Sequence, residues 1–183
     1  MTELRNITFR YEDKTIFENY SLKLNDGITC IMSPSGIGKT TLLHILAGLR
    51  KPESGEILNA PKRPAILFQE DRLLPWFTVE KNLLIIHKDK EKVRKMLKEI
   101  DVPPGLYPDE LSGGMKRRVA LIRALLLPSD ALLLDEPFSG MDEALMKRMA
   151  ALIRKENKFT VVSTHSLREA EELGGRILHL ANE

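Results

Sequence analysis

Ile28-Thr29-Cys30-Ile31-Met32-Ser33-Pro34-Ser35-Gly36-Ile37-Gly38-Lys39-Thr40-Thr41 carries the pattern on which the fold turns. Its first five residues, through Met32, are apolar or β-branched and read as a short strand. A turn-rich stretch from Ser33 to Gly38 follows. Lys39-Thr40-Thr41 then opens a helical pattern continued by Leu42, Leu43, Ile45, Leu46 and Leu49, with Gly48 and Pro52 marking its expected end. Strand, glycine turn and Lys-Thr helix start together predict a phosphate-binding loop. Gly36 and Gly38 can take backbone conformations closed to other residues, so successive N–H groups can turn inward around phosphate oxygens. The helix N-terminus adds partial positive charge. In this reading Lys39 reaches terminal phosphates, the Thr40 hydroxyl ligates magnesium and Thr41 hydrogen-bonds an inner phosphate. The usual pattern, G-x-x-x-x-G-K-[ST], has glycine where this chain has Ser33.

A second half of the site is expected at Ala131-Leu132-Leu133-Leu134-Asp135-Glu136-Pro137. A wholly apolar strand is one covered on both faces, which fits a central parallel strand whose C-terminal end faces a ligand. Asp135 is then placed to hold magnesium, directly or through water. Glu136 is placed to orient and deprotonate a water attacking phosphorus. Gln69 and His165 follow the strand-like runs Ala65 to Phe68 and Phe159 to Ser163, so both can sit at strand ends facing one pocket. A glutamine there can bridge magnesium and the attacking water, and a histidine can hydrogen-bond the terminal phosphate. By position alone, a lone histidine is more often a surface or satisfied core residue.

Leu111-Ser112-Gly113-Gly114-Met115 precedes a helical pattern through Val119, Leu121, Ile122, Leu125 and Leu126, which makes a second helix N-terminus suited to an anion. With these motifs in this order, the chain resembles the ABC-type ATPases. The family's phosphate-loop corresponds to Ser33 to Thr40, its glutamine loop to Gln69 and its signature to Leu111 to Met115. Its acidic strand corresponds to Leu132 to Glu136, its aspartate loop to Ser139-Gly140-Met141-Asp142 and its histidine switch to His165. The resemblance implies an α/β P-loop NTPase of ABC ATPase type: a mostly parallel central sheet, an N-terminal antiparallel β part and an inserted helical lobe.

The same resemblance implies ATP and Mg2+ as ligands. ATP would be bound by Tyr11, Ser33, Pro34, Ser35, Gly36, Ile37, Gly38, Lys39, Thr40, Thr41, Ser112, Gly113, Gly114 and Asp142, and the metal by Thr40, Gln69 and Asp135. Glu136, His165 and Gln69 would be catalytic. Tyr11 would stack on adenine, although an aromatic at the end of a first strand is equally suited to packing. Two phosphate-binding elements in one chain are used by the family in a head-to-tail homodimer, the signature of one subunit closing over ATP held by the other. Arg117, Arg118 and Arg123 on the signature helix read as a solvated or intersubunit face rather than a nucleic-acid patch.

Gln69-Glu70-Asp71-Arg72-Leu73-Leu74-Pro75-Trp76, together with Ser-Gly-Gly-Met, looks like the importer branch for nitrate, sulfonates, taurine and pyrimidine precursors. That implies a membrane permease, a separate solute-binding protein and a place at the cytoplasmic face of the membrane. Trp76 would help form the groove for a permease helix; a helix start with a buried aromatic explains Pro75-Trp76 as well. The rival from another class is a soluble ABC-type switch in assembly or repair, but the coiled-coil insertions of repair members are lacking. A kinase or GTPase needs neither signature nor histidine switch. Besides Ser33, the chain departs from common importers in Ser166 after His165 and in a shortened helical lobe and C-terminus.

Composition agrees. With 183 residues, net charge +2 and 43% hydrophobic content, one compact domain spanning 1–183 is expected, and nothing demands a nucleic-acid partner. The single cysteine, Cys30, reads as a small core residue and suits a reducing compartment. The four histidines show no metal-ligand spacing. No signal peptide is recognised, and no apolar stretch reaches the roughly 18–20 residues of a membrane span. Residues 2–32 read as antiparallel-type strands with turns at Glu12-Asp13-Lys14 and Asn25-Asp26-Gly27. Residues 72–127 read as a helical lobe, including a charged helix with a narrow stripe of Val93, Met96, Leu97 and Ile100 that Pro103-Pro104-Gly105 breaks. The remainder alternates strand and helix to a last strand at Arg176 to Leu180.

Overall fold

The computed structural model describes residues 1–12 and 14–180. Asp13, within the expected first turn, and residues 181–183 of the expected domain lie outside the described residues. Strands β1 (Thr2–Tyr11) and β2 (Lys14–Leu24) pair antiparallel, and β3 (Ile28–Met32) leads into helix α1 (Lys39–Leu46). Then come β4 (Ser54–Leu58), β5 (Pro64–Leu67), α2 (Val79–Leu84) and α3 (Lys90–Glu99). A 3-10 turn at Pro108–Glu110 precedes α4 (Gly113–Leu126). The chain continues through β6 (Ala131–Asp135), α5 (Glu143–Lys155), β7 (Phe159–Thr164), α6 (Leu167–Leu173) and β8 (Arg176–Leu178).

Among the described residues the strands form two sheets, an antiparallel one in the order β2-β1-β4 and a parallel one in the order β5-β6-β7-β3-β8. Side chains alternate across a strand, and the parallel sheet shows what that alternation builds. Ala65, Leu67, Leu132, Leu134, Val162 and Cys30 join one apolar core, which extends through α4, α5, α6 and the packed faces of α2 and α3. Their neighbours Leu133, Val161 and Ile31 are buried on the other face, against α1 and the antiparallel sheet, with Ile66 partly buried there. All of β6 is therefore buried, as its unbroken apolar run required. Cys30 is buried, and burial pushes its thiol up to about 11, the behaviour of a packing residue.

The structure differs from expectation at several ends. Helix α1 stops at Leu46 rather than reaching Leu49, because Gly48 turns left-handed (φ 71°). The Leu49 N–H then bonds the His44 carbonyl at 2.9 Å and Gly48 N–H bonds Ile45 at 3.0 Å, a Schellman closure. The 72–127 lobe is not continuously helical: residues 72–78 precede α2 without helix, and further breaks separate α2, α3 and α4. The charged helix does bury the stripe residues Val93 and Leu97, with Ile100 just beyond its end also buried. β4 was not anticipated, and the last strand ends at Leu178 rather than Leu180.

Candidate functional site

Because all strands of the larger sheet run parallel, the residues following β3, β5, β6 and β7 emerge along one edge. That topology brings the phosphate-loop, Gln69, Asp135-Glu136 and the His165 segment together. A cleft of about 230 Å³ is lined by Ile16, Ser35, Gly36, Gly38, Lys39, Thr40, Thr41, Gln69, Asp135 and Glu136. Gly38 has φ 110°, and a Cβ on it would lie 2.6 Å from Cγ2 of Ile16 and 3.0 Å from the ring of Phe17. Strand β2 thus packs directly against the loop, and glycine is required there on both conformational and steric grounds. Ile16 is a lining residue that sequence reasoning missed.

Of the expected phosphate-loop residues, Ser33, Pro34 and Ile37 are not part of this lining. Ser33 lies outside the positive-φ residues, so its backbone does not need glycine. Its hydroxyl accepts from Leu180 N–H at 2.8 Å and approaches the Met32 and Leu180 carbonyls at 2.5 and 3.3 Å. The serine therefore ties the loop's first residue to the chain beyond β8. Ser33→Gly is expected to lower stability by about 1 kcal/mol through loss of these bonds and added chain entropy. Urea unfolding checks this, and an unchanged midpoint would show that the tie contributes nothing.

Lys39 is nearly buried, and its ammonium donates to the carbonyls of Ser33 and, at 3.0 Å, of Pro34. The Thr40 hydroxyl donates to Oδ2 of Asp135 at 2.7 Å, while Ser163 donates to Oδ1. Glu136 follows in a left-handed conformation with φ 45°. Its N–H reaches both the carbonyl and hydroxyl of Ser163, at 3.1 and 3.0 Å. Non-glycine residues held in this region at a cleft mark positions that the surroundings over-determine. His165, largely exposed, places Nδ1 3.5 Å from Oε1 of Glu136, an ion pair only when the imidazole is protonated.

The signature lies elsewhere. Ser112 caps α4, accepting from Met115 N–H at 3.3 Å, and Gly113 and Gly114 line a second cleft of about 390 Å³ with Gln69, Asp71, Arg117, Glu136, Ser139 and Gly140. The two clefts share Gln69 and Glu136, but the phosphate-loop glycines line only the first and the signature glycines only the second. A Cβ on Gly114 would sit 2.6 Å from the Gly140 carbonyl oxygen, whereas one on Gly113 would meet nothing within 4 Å. Gly114→Ala is therefore expected to cost about 1–3 kcal/mol, by overpacking against backbone. Gly113→Ala should stay within about 0.5 kcal/mol. Thermal unfolding of the pair measures the difference, and equal midpoints would refute the contact.

Other expectations are placed differently. Asp142 caps α5, its carboxylate accepting from Leu145 N–H at 2.9 Å, and it lines neither cleft. Tyr11 closes β1, is 37% exposed, and stands edge-on to Phe9 at 4.9 Å with Arg50 5.5 Å over its ring; it also lines neither cleft. Trp76 is 66% exposed and lies ahead of α2, so it is not the buried aromatic of a helix start. The arginines are not a solvated face. Arg117 is 4% exposed and donates to the carbonyls of Phe68 and Glu136, Arg118 donates to the Ile100 carbonyl, and Arg123 donates to those of Asp71 and Arg72.

A profile described as ABC transporter matches residues 17–139. An aliphatic sulfonates import ATP-binding protein of Rhodococcus jostii is 34% identical, the match covering 99% of this chain and 79% of that protein. A thiamine import ATP-binding protein of Aliivibrio fischeri is 36% identical over 100% of this chain and 88% of its own. Among solved structures, a dimeric ATP-binding cassette in a post-hydrolysis state bound to ADP and phosphate aligns with TM-score 0.85 and 27% identity, covering 98% of this chain and 94% of that one. With the profile spanning most of the chain and relatives matched along nearly all of it, the chain belongs to the ABC transporter family.

Proposed function

We propose that this chain is the ATP-binding and ATP-hydrolysing subunit of an ABC importer, acting as a head-to-tail homodimer beneath a membrane permease. The observation that carries the reading is the meeting of the phosphate-loop with the acidic strand end, Thr40 against Asp135 at 2.7 Å with Glu136 beside them. Import relatives and a dimeric cassette bound to ADP and phosphate support it. The relatives handle a sulfonate and a thiamine, which differ chemically, so the solute is set by partners rather than by this subunit.

The loop from Ser33 to Thr41, through its N–H groups at every residue but Pro34, and the Lys39 ammonium would take the phosphates, with Tyr11 on the base. The Thr40 hydroxyl and Asp135 carboxylate are hard oxygen donors that suit Mg2+, and Gln69 lines the same cleft. Bound there, the ion would offset charge on the phosphates. Glu136 accepts the proton of the attacking water, Gln69 orients that water and His165 contacts the terminal phosphate. Separation of the signature cleft from the phosphate-loop cleft favours a composite site in which Ser112, Gly113 and Gly114 of one protomer meet ATP on another, with Asp142 holding the neighbouring loop. Loss of the terminal phosphate would remove charge-assisted contacts from both sides and open the dimer.

Residues 1–183 act as one cassette with the helical lobe inserted at about 72–127. Attachment is peripheral, through the permease at the cytoplasmic face; among the described residues no helix is long and apolar enough to cross a membrane. Exposed Trp76 supports a permease contact on the lobe, and a separate solute-binding protein completes the complex. The test is to recover the ATP-trapped Glu136→Gln protein from detergent-solubilised native membranes. A copurifying polytopic permease is expected; recovery only in the soluble fraction, with cytosolic partners, would overturn the importer reading.

A further inference from the structure

Arg117 lies one turn inside α4, 4% exposed, and is bonded on every side of its guanidinium. Nη1 donates to the carbonyls of Phe68 at 2.6 Å and Gln69 at 3.2 Å, and to the Asp71 carboxylate at 3.1 Å. Nη2 donates to the Asp135 carbonyl and to that of Glu136 at 3.1 Å, and Nε reaches the Glu136 carbonyl at 3.2 Å. The backbone acceptors thus belong to two pairs of consecutive residues, Phe68-Gln69 and Asp135-Glu136, each containing a side chain assigned to hydrolysis. These carbonyls lie at or just past the ends of β5 and β6, where the sheet ladder stops supplying partners. A planar fork with five donors and no acceptor is the one side chain able to satisfy both pairs at once. Asp71 offsets its buried charge.

We infer that Arg117 is a positioning residue of the hydrolytic site, clamping the backbone of Asp135-Glu136 to that of Phe68-Gln69 so that Glu136 and Gln69 address the same point. The inference rests on the ATPase reading of those two residues. Glu136 supplies the reason a clamp is needed. Its φ of 45° is sparsely populated for a residue with a Cβ, and such conformations persist when neighbours hold them on both sides. Ser163 holds the N–H side, and Arg117 holds the carbonyl side. Because Arg117 sits four residues after Gly113 on the same helix, movement of the signature end of α4 is transmitted to the Glu136 backbone through this one side chain.

Steady-state ATP turnover with Mg2+ and equilibrium binding of a fluorescent ATP analogue are to be measured for wild type, Arg117→Met, Arg117→Lys, Glu136→Gln and the Arg117→Met/Glu136→Gln double variant. Arg117→Met is expected to lower kcat by about 10- to 100-fold, the scale of a misplaced reacting group, with nucleotide Kd within about twofold of wild type. Arg117→Lys, a point charge without the fork, should recover part of the loss. The double variant should be no slower than Glu136→Gln alone, since a clamp acts only through what it holds. Unchanged kcat in Arg117→Met, a Kd that rises as far as kcat falls, or a double variant slowed by the product of both effects would overturn the inference. If Arg117→Met does not fold, Arg117→Lys decides, and wild-type kcat in that variant overturns the clamp. Wild-type turnover in Glu136→Gln would reject the catalytic reading of Glu136, and the clamp with it. Loss in Glu136→Gln with none in Arg117→Met rejects the clamp alone.

Discussion

Glu136→Gln is expected to slow ATP turnover by about 100-fold or more, the usual range of a lost general base, while ATP binding stays intact. Glutamine is nearly isosteric and keeps every backbone tie of this position, the N–H bonds to Ser163 and the carbonyl bonds to Arg117. The left-handed φ of 45° is therefore retained, and the change falls on the carboxylate alone. Glu136 lines both clefts, and its carboxylate lies 3.5 Å from the His165 imidazole. With hydrolysis blocked, the terminal phosphate stays in place and the two-sided contacts it supports should persist. Light scattering of the variant with ATP and Mg2+ should report a dimer. A monomer at all concentrations would count against the composite site, and unimpaired turnover would remove Glu136 from the chemistry.

Much of this arrangement was legible because its sequence signals are local. The unbroken apolar run from Ala131 to Leu134 is a period-free pattern that, at this short length, fits a strand covered on both faces, and β6 is that strand. The phosphate-loop was legible because strand, glycine turn and Lys-Thr helix are contiguous. What failed depended on contacts distant in sequence or on residues read by type. Arg117 was assigned outward because it is charged, yet it falls four residues before Leu121 and eight before Leu125, both buried, so helical spacing already placed it on the inner face. Its partners lie up to 49 residues away and cannot be anticipated from the helix alone. Trp76 was given burial as one reading because it is large and apolar, whereas the segment ahead of α2 leaves it exposed. Asp142, read as nucleotide-facing, also caps α5 by accepting the Leu145 N–H, a local role that its loop motif did not announce. Ser33 looked like a defect of the phosphate-loop; its φ shows that the position never required glycine, and its hydroxyl found a partner 147 residues downstream.

Lys39→Ala should act on binding itself rather than on turnover. The ammonium is nearly buried beneath the loop, donating to the carbonyls of Ser33 and Pro34, and Gly36, Gly38 and Thr40 share the cleft it lines. Removing it takes away the cation nearest the phosphates and leaves two loop carbonyls short of a donor. Hydrogen bonds to charged groups are worth about 1.5–3 kcal/mol each, so ATP affinity should fall by about 10- to 100-fold. Both consequences point the same way, and a second substitution separates them. Lys39→Arg keeps the charge but brings a planar fork in place of a compact ammonium, which does not fit the same pair of carbonyls. If phosphate charge dominates, Lys39→Arg should retain much of the affinity; if the loop's own shape dominates, it should lose nearly as much as Lys39→Ala. Equilibrium titration with ATP distinguishes the two, and unchanged affinity in Lys39→Ala would sink the phosphate-loop assignment altogether. The contrast with Glu136 then becomes diagnostic: one variant that binds and does not turn over, another that does not bind, from residues lining a single cleft between α1 and the end of β6.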